Sequence, residues 1–508
     1  MLFNSYIFVF AFLPIAFIGY QLLQRKEKHQ ASLFWLTACS FFFYSWANPA
    51  YLPLLIISIT ANFFIGKQLS IRKKTRSGNR LLLIGILLNL FTLAYFKYTG
   101  FALANINALL NTTYHDPGII LPLAISFFTF NQITYLVDAW EGMTEEYSFN
   151  HYCLFVSFFP HLLAGPIVHH REMIPQFAQQ HTKAEREKLW ACGITVISFG
   201  LFKKTIFADS LSYYADQVFL GAANGNAINA TDAWIGALSY NLQIYFDFSA
   251  YCDIAYGSAL LFGIRLPQNF LSPYKTASII DYWKHWHITL GRLITTYVYT
   301  PLILKTPGRI SFTKAMTVTL ISMTLVGLWH GAGWHYIIWG IMHGIMLIAN
   351  HVWRRQSVSK HFDSSRIFHI FCIALTYLLV TLSMVMSRAP DVNTAATIYS
   401  AMFNLANFQW MHHVHQPVIS DLCRQLGFTL NSMQKILPVL LLLQCWVWVM
   451  PNLQQLMGKN DYAITQLHVS KSWLTWKPNI YWSMITAIAF VASVLALYQT
   501  GEFIYFQF

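Results

Sequence analysis

Long apolar runs dominate this chain, at 6–20, 51–66, 81–95, 119–137, 233–262, 311–329, 367–385 and 481–498, with shorter or interrupted ones at 31–44 and 436–450. A helix needs about 20 such residues to cross the ~30 Å hydrocarbon core of a bilayer. Lipid cannot hydrogen-bond the backbone, so only helices and closed barrels can span it. The alternation of a barrel strand is absent, and the chain is therefore expected to be all-α and polytopic, with about 11–13 transmembrane helices plus re-entrant segments. Charged residues agree: they are 10% of the chain, against roughly 25% in soluble domains.

The formal net charge of +13 would suggest nucleic acid in a soluble protein. Here the basic residues sit in short loops between apolar runs, where they set orientation; no nucleic-acid partner is expected. Arg25, Lys26 and Lys28 follow the first run, and Arg72, Lys73, Lys74, Arg76 and Arg80 follow the third. Lys183, Arg186 and Lys188 lie in another loop, and Arg354, Arg355 and Lys360 in a fourth. Placing all four in the cytoplasm puts both termini outside. The first run lacks a basic region ahead of it and a small-residue cleavage site, so it reads as a retained helix. The seven cysteines are scattered and form no CxxC pair, which gives no thiol metal site or redox pair.

Chemistry is concentrated in the middle of the chain. Residues 1–150 and 351–508 read as plain membrane helices, the latter with an outer loop, and 151–350 as the functional core. Two segments of that core look broken at membrane depth. The stretch from Phe158 to His170 holds Pro160, Gly165 and Pro166, and the stretch from Arg265 to Lys275 holds Pro267 and Pro273. Proline removes a helical hydrogen bond, and irregular backbone inside a membrane is tolerated only when buried or lining a cavity. An internal tunnel is expected.

Polar side chains in apolar runs are costly and mark function by default. His330, in Leu328-Trp329-His330-Gly331, stands where a helix should break. It is either a core histidine bonded to a carbonyl or a general base, since an imidazole can take a hydroxyl proton near neutral pH. His287 ends the cluster Asp281-Tyr-Trp-Lys-His285-Trp286-His287. Asp281 and His285 are spaced to pair on a helix. The plain alternative for this cluster is an interfacial aromatic belt with Lys284 reaching for water. Asp247 and Asp253 share an apolar run with Gln243, one turn before Asp247; a structural polar network and a role at the site both remain open. His412, His413 and His415 read as a solvated loop, and His343 as a packing or network residue.

Four motifs occur in order: Phe159-Pro-His-Leu-Leu-Ala-Gly-Pro-Ile167, Leu242-Gln-Ile-Tyr-Phe-Asp-Phe-Ser-Ala-Tyr251, Tyr282-Trp-Lys-His-Trp-His-Ile-Thr-Leu290 and Gly327-Leu-Trp-His-Gly-Ala-Gly-Trp334, followed by Trp339-Gly340 and His343-Gly344. Together they resemble the membrane-bound O-acyltransferase (MBOAT) family, in particular its alginate O-acetylation branch. The resemblance implies a ring of helices around a thin centre with a central tunnel. It implies His330 as the catalytic histidine and His287 as the second functional one. Trp286, Trp329, Asp247, Asp253, Gln243 and His285 are carried as tunnel-lining candidates. One departure stands out: Thr295-Thr296 replaces the Arg-Asp that alginate-type members carry.

The resulting expectation is transfer of an acyl group, above all acetyl, from acetyl-CoA or another cytoplasmic thioester. The acceptor would be a hydroxyl of an exported polysaccharide or of an extracytoplasmic, esterase-like partner protein. The location would be a bacterial inner membrane. No bound cofactor and no metal are expected, because a thiolate leaves readily. The alternatives are D-alanyl transfer to teichoic acid and, from another class, a proton-coupled transporter using His330, His287, Asp247 and Asp253 as a relay.

Overall fold

The computed structural model describes residues 1–144, 147–163, 165–304, 310–356, 365–404, 406, 436–458, 462–464, 472–499, 501 and 503. The histidine-rich stretch of His412, His413 and His415 lies outside them. Among the described residues the regular elements are all helical, apart from one isolated bridge between Pro267 and Ile464.

A π-turn at Phe8–Phe12 leads into α1 (Leu13–Arg25), followed by α2 (His29–Ser45), α3 (Leu52–Ile71), α4 (Arg76–Leu110) and α5 (Ile125–Glu141). The start of α4 is fixed by Thr75, whose hydroxyl accepts from Gly78 N, satisfying one of the orphan donors of a helix N-terminus. The apolar run at 119–137 becomes helical only at Ile125: Pro122 precedes it, and Ala124 takes the left-handed conformation at φ 60°.

The middle of the chain follows as α6 (Phe149–Ser157), α7 (Phe159–Leu162), α8 (His170–Met173), α9 (Lys183–Phe202), α10 (Asp209–Ala223) and α11 (Ala230–Leu261). A π-turn at Lys203–Ala208 joins α9 to α10. Helix α11 is buried along nearly its whole length. That position explains how it can carry Gln243, Asp247 and Asp253, which no lipid-facing helix could hold. It lies directly against α9. A Cβ on Gly257 would stand 2.5 Å from Gly193 O, and one on Gly200 would stand 3.0 Å from Ala250 O. Such backbone contact is what small residues permit between membrane helices.

Beyond it come α12 (Ile279–His285), α13 (Ile288–Ile294), α14 (Thr300–Leu304), α15 (Phe312–His330), α16 (Trp334–Arg355), α17 (Arg366–Arg388), α18 (Val392–Phe403), α19 (Ile436–Val449), α20 (Leu453–Met457) and α21 (Ile480–Ala496). Among the described residues seven helical stretches are long and apolar enough to cross a membrane, and three shorter apolar ones accompany them. Both proline-containing segments are irregular as expected. The stretch from Phe158 to Val168 is buried at every described position, and Leu266–Asn269 is buried without helix.

Candidate active site

The hairpin of α15 and α16 builds one wall. Gly327 and Gly340 let the two backbones touch: a Cβ on Gly327 would lie 2.3 Å from Tyr336 O, and one on Gly340 would lie 2.4 Å from Met323 O. This contact brings His330, the last residue of α15, edge-on to Trp339 of α16, with ring centroids 5.0 Å apart. Trp339 in turn meets His343, one turn further on, at 4.7 Å. His343 is locked: Trp283 Nε1 donates to its Nδ1 (3.2 Å), so Nε2 carries the proton and faces Ser383 Oγ (2.9 Å).

Helix α15 stops at His330 because Gly331 is extended, which leaves its last carbonyls without helical partners. Helix α4 supplies them. Tyr98 Oη donates to Leu328 O (2.8 Å), and Lys97 Nζ to Trp329 O (2.5 Å) and His330 O (3.2 Å). An ammonium at a helix C-terminus also meets the negative end of the helix dipole.

His287 sits in the break between α12 and α13, fully buried and in the left-handed conformation at φ 45°. A non-glycine residue held there is strained and is typical of functional positions. Asn269 fixes the ring. Its Oδ1 accepts from Thr289 N (3.3 Å) and Thr289 Oγ1 (2.9 Å), so it must also accept from His287 Nδ1 at 3.1 Å. The proton therefore lies on Nδ1, leaving Nε2 as the basic nitrogen. Trp329 bridges the two histidines, 6.1 Å from His287 and 4.8 Å from His330 by ring centroids. It is itself stacked on Phe130.

Two cavities meet at His330. One, of about 110 Å³, runs along Leu121–Phe127 and is also lined by Lys97 and Trp329. The other, of about 20 Å³, is lined by Tyr240, Ile244, Trp286, Tyr336 and Trp339. The Nε1 donors of Trp329 and Trp339 are buried and have no hydrogen-bond partner among the described residues. A buried unsatisfied donor is costly and needs a reason.

Trp286 and Trp329 thus line cavities that reach His330; Gln243, Asp247, Asp253 and His285 line neither of these two. Asp247 pairs with Lys204 (2.8 Å), which also binds Asp209 (2.8 Å), and Asp253 pairs with Lys203. These ion pairs tie α11 to the π-turn after α9. The expected Asp281–His285 side-chain pair does not form. His285 Nδ1 donates to the Asp281 carbonyl (2.7 Å), one turn back in α12. The Asp281 carboxylate is taken by Ser278, Lys284 and Arg354.

A second polar cluster was not anticipated from the sequence. Asp138 Oδ2 receives His169 Nε2 and His170 Nε2, each at 2.9 Å, while Tyr297 Oη donates to Oδ1 at 2.9 Å. Asp138, His169 and His170 offer ligand atoms close enough to hold a metal ion. The local hydrogen bonds favour protons: Arg171 N donates to His169 Nδ1 (3.3 Å), placing the ring proton on Nε2, toward Asp138. Lys97, Asn269 and this cluster are what sequence reasoning missed. Lys97 carried the one readable signal, a lone cation just past the apolar run at 81–95.

A family model described as MBOAT, membrane-bound O-acyltransferase family, matches residues 144–389. The chain is 37% identical over 438 residues to the peptidoglycan O-acetyltransferase of Helicobacter pylori, covering 81% of each chain. It is 35% identical over 415 residues to a probable alginate O-acetylase of Pseudomonas aeruginosa, covering 80% of this chain and 76% of that one. A teichoic acid D-alanyltransferase of Bacillus subtilis is 28% identical over 271 residues, 52% of this chain and 68% of its own.

Proposed function

Since the chain belongs to the membrane-bound O-acyltransferase family, we propose that it moves an acetyl group from a cytoplasmic thioester such as acetyl-CoA to a hydroxyl of an envelope glycan or of an extracytoplasmic partner protein, with His330 as general base. The observation that carries this reading is the position of His330 between two cavities, one on the α4–α5 side and one among the aromatic residues of α11 and α16.

His330 takes the proton of the acceptor hydroxyl as its oxygen attacks the thioester carbonyl. The tetrahedral adduct collapses, the carbon–sulfur bond breaks, and the thiolate leaves with the proton returned by the imidazolium. The partnerless indole donors of Trp329 and Trp339 suit the oxyanion of that adduct. His287, with its proton held on Nδ1 by Asn269, presents an acceptor nitrogen; that fits orienting an N–H or O–H group of the donor better than polarising a carbonyl. Asp247 and Asp253 hold the scaffold through their lysines. The basic loops support a bacterial inner-membrane protein with both termini outside.

The test is His330→Ala in the native host, with the acetyl content of purified surface glycans measured beside the abundance of the variant in membranes. Loss of O-acetyl groups at normal abundance is the expected result, and unchanged acetylation of every glycan would overturn it. The teichoic acid relative makes D-alanyl transfer the second reading; turnover that requires an aminoacylated carrier instead of acetyl-CoA would select it.

A further inference from the structure

Away from His330, α1 and α9 enclose two adjoining cavities of different character. The first, of about 710 Å³, lies at the basic ends of these helices and is lined by Arg25, Glu27, His29, His181 and Arg186. The second, of about 790 Å³, is largely apolar, formed by residues such as Leu13, Ile194, Ile197 and Phe490 together with the start of α21. Leu261 lines both, and Trp190, edge-on to Phe17, lines the first.

The polar cavity is built for an anion. Two arginines and one glutamate line it, and neither arginine has an ion-pair partner among the described residues. Arg186 Nε is buried and has no hydrogen-bond partner among the described residues. The carbonyls ending α11, which would repel an anion, are already occupied: Tyr20 Oη donates to Phe262 O (3.3 Å), Gln21 Nε2 to Leu261 O (3.5 Å) and His181 Nε2 to Gly263 O (3.0 Å). The apolar cavity follows α21 from Ile480 to Phe490, about 15 Å at ~1.5 Å per residue. That is half of the ~30 Å hydrocarbon thickness, the depth of one leaflet.

We propose that this pair of cavities binds one anionic phospholipid from the leaflet in which α1 ends, its phosphate between Arg25 and Arg186 and one acyl chain in the cleft beside α21. Basic pockets between membrane helices select anionic headgroups in this way, by about five-fold for a net single positive charge.

Native mass spectrometry on the full-length chain, extracted in detergent and titrated with dioleoyl phosphatidylglycerol or dioleoyl phosphatidylcholine, tests this. One phosphatidylglycerol retained with about five-fold preference is expected. Arg25→Gln with Arg186→Gln should abolish the preference, and Arg25→Lys with Arg186→Lys should restore it. Leu13→Trp, which fills the apolar cleft, should weaken both lipids. Equal retention of the two lipids by the unaltered chain, or a preference that survives both glutamines, overturns the proposal. Competition by glycerol 3-phosphate as strong as by the lipid also overturns it, in favour of a free-phosphate site.

Discussion

Replacing Lys97 by methionine isolates the contribution of α4 to the site. The ammonium makes two charge-assisted hydrogen bonds to the carbonyls of Trp329 and His330, each worth ~1.5–3 kcal/mol. Methionine keeps the length of the side chain and leaves those carbonyls to water in the neighbouring cavity of about 110 Å³. It also removes a cation from a membrane helix, whose burial costs ~2.5–3.5 kcal/mol on insertion scales. The second effect offsets half or more of the first, so global stability should fall by no more than ~3 kcal/mol. The end of α15 should nevertheless loosen. His330, the proposed base, is its last residue, and a displacement of ~1 Å at a reacting group costs on the order of 100-fold in rate.

The expected phenotype of Lys97→Met is therefore a fall in kcat of about 30–100-fold with KM for the acceptor changed less than about three-fold. Steady-state acetyl transfer by the purified enzyme, with thermal unfolding of the same preparation, measures both. Lys97→Arg should retain a substantial part of kcat by keeping a cation on the same carbonyls. Tyr98→Phe, which releases only Leu328 O, should cost less than Lys97→Met. The reasoning fails if Lys97→Met keeps kcat within about three-fold of the unaltered enzyme. It also fails if KM rises while kcat holds, since Lys97 would then touch the acceptor and not merely position the base.

Asn269→Ala should lower kcat by about ten-fold or more, because His287 loses the acceptor that sets its tautomer; Asn269→Asp, which keeps an acceptor, should recover more activity in the same assay. Asp247→Asn leaves Lys204 buried with one fewer counter-charge and should destabilise by ~3–5 kcal/mol, read as loss of folded protein in detergent. Gly327→Leu should abolish activity by forcing α15 away from α16, where even a Cβ would meet Tyr336 O at 2.3 Å; circular dichroism should report retained helix. Although burial works against it, the Asp281 carboxyl is held below its ordinary value of 3.8 by Ser278 and Lys284. The stability it adds is present at neutral pH and is lost as pH falls through its folded pKa, so Asp281→Asn should match the unaltered chain in acid and be less stable at pH above 5.

What could be read from the sequence was what membrane solvation makes expensive. His330, His287, Asp247 and Asp253 stood out because polar groups in apolar runs need a reason. The broken segments stood out because proline removes a backbone donor. Their partners were hidden for the opposite reason. Asn269 is an ordinary residue in an irregular stretch, and only the fold reveals that three donors converge on its side chain. Lys203 and Lys204 follow an apolar stretch with nothing in the sequence to link them to α11, and a π-turn carries them inward to Asp253 and Asp247. The spacing of Asp281 and His285 was right for a pair. The Asp281 carboxylate, however, is taken by Ser278, Lys284 and Arg354, and the ring turns to the Asp281 backbone carbonyl instead.

The placement of both histidines at helix ends follows from the demands of the medium. A side chain in the middle of a membrane helix can reach only what packs against that face, and the backbone around it is spoken for by its own ladder. At an interruption the backbone bends away, a cavity becomes possible, and the freed carbonyls need donors. The groups that satisfy the freed backbone also fix the site: Lys97 and Tyr98 donate to the end of α15, and Asn269 accepts from the turn at His287. The cost of breaking two helices in lipid is thus offset by residues that also orient the imidazoles. Loss of one such donor should consequently affect rate more than stability, the reverse of what a buried ion pair such as Lys204–Asp247 should do.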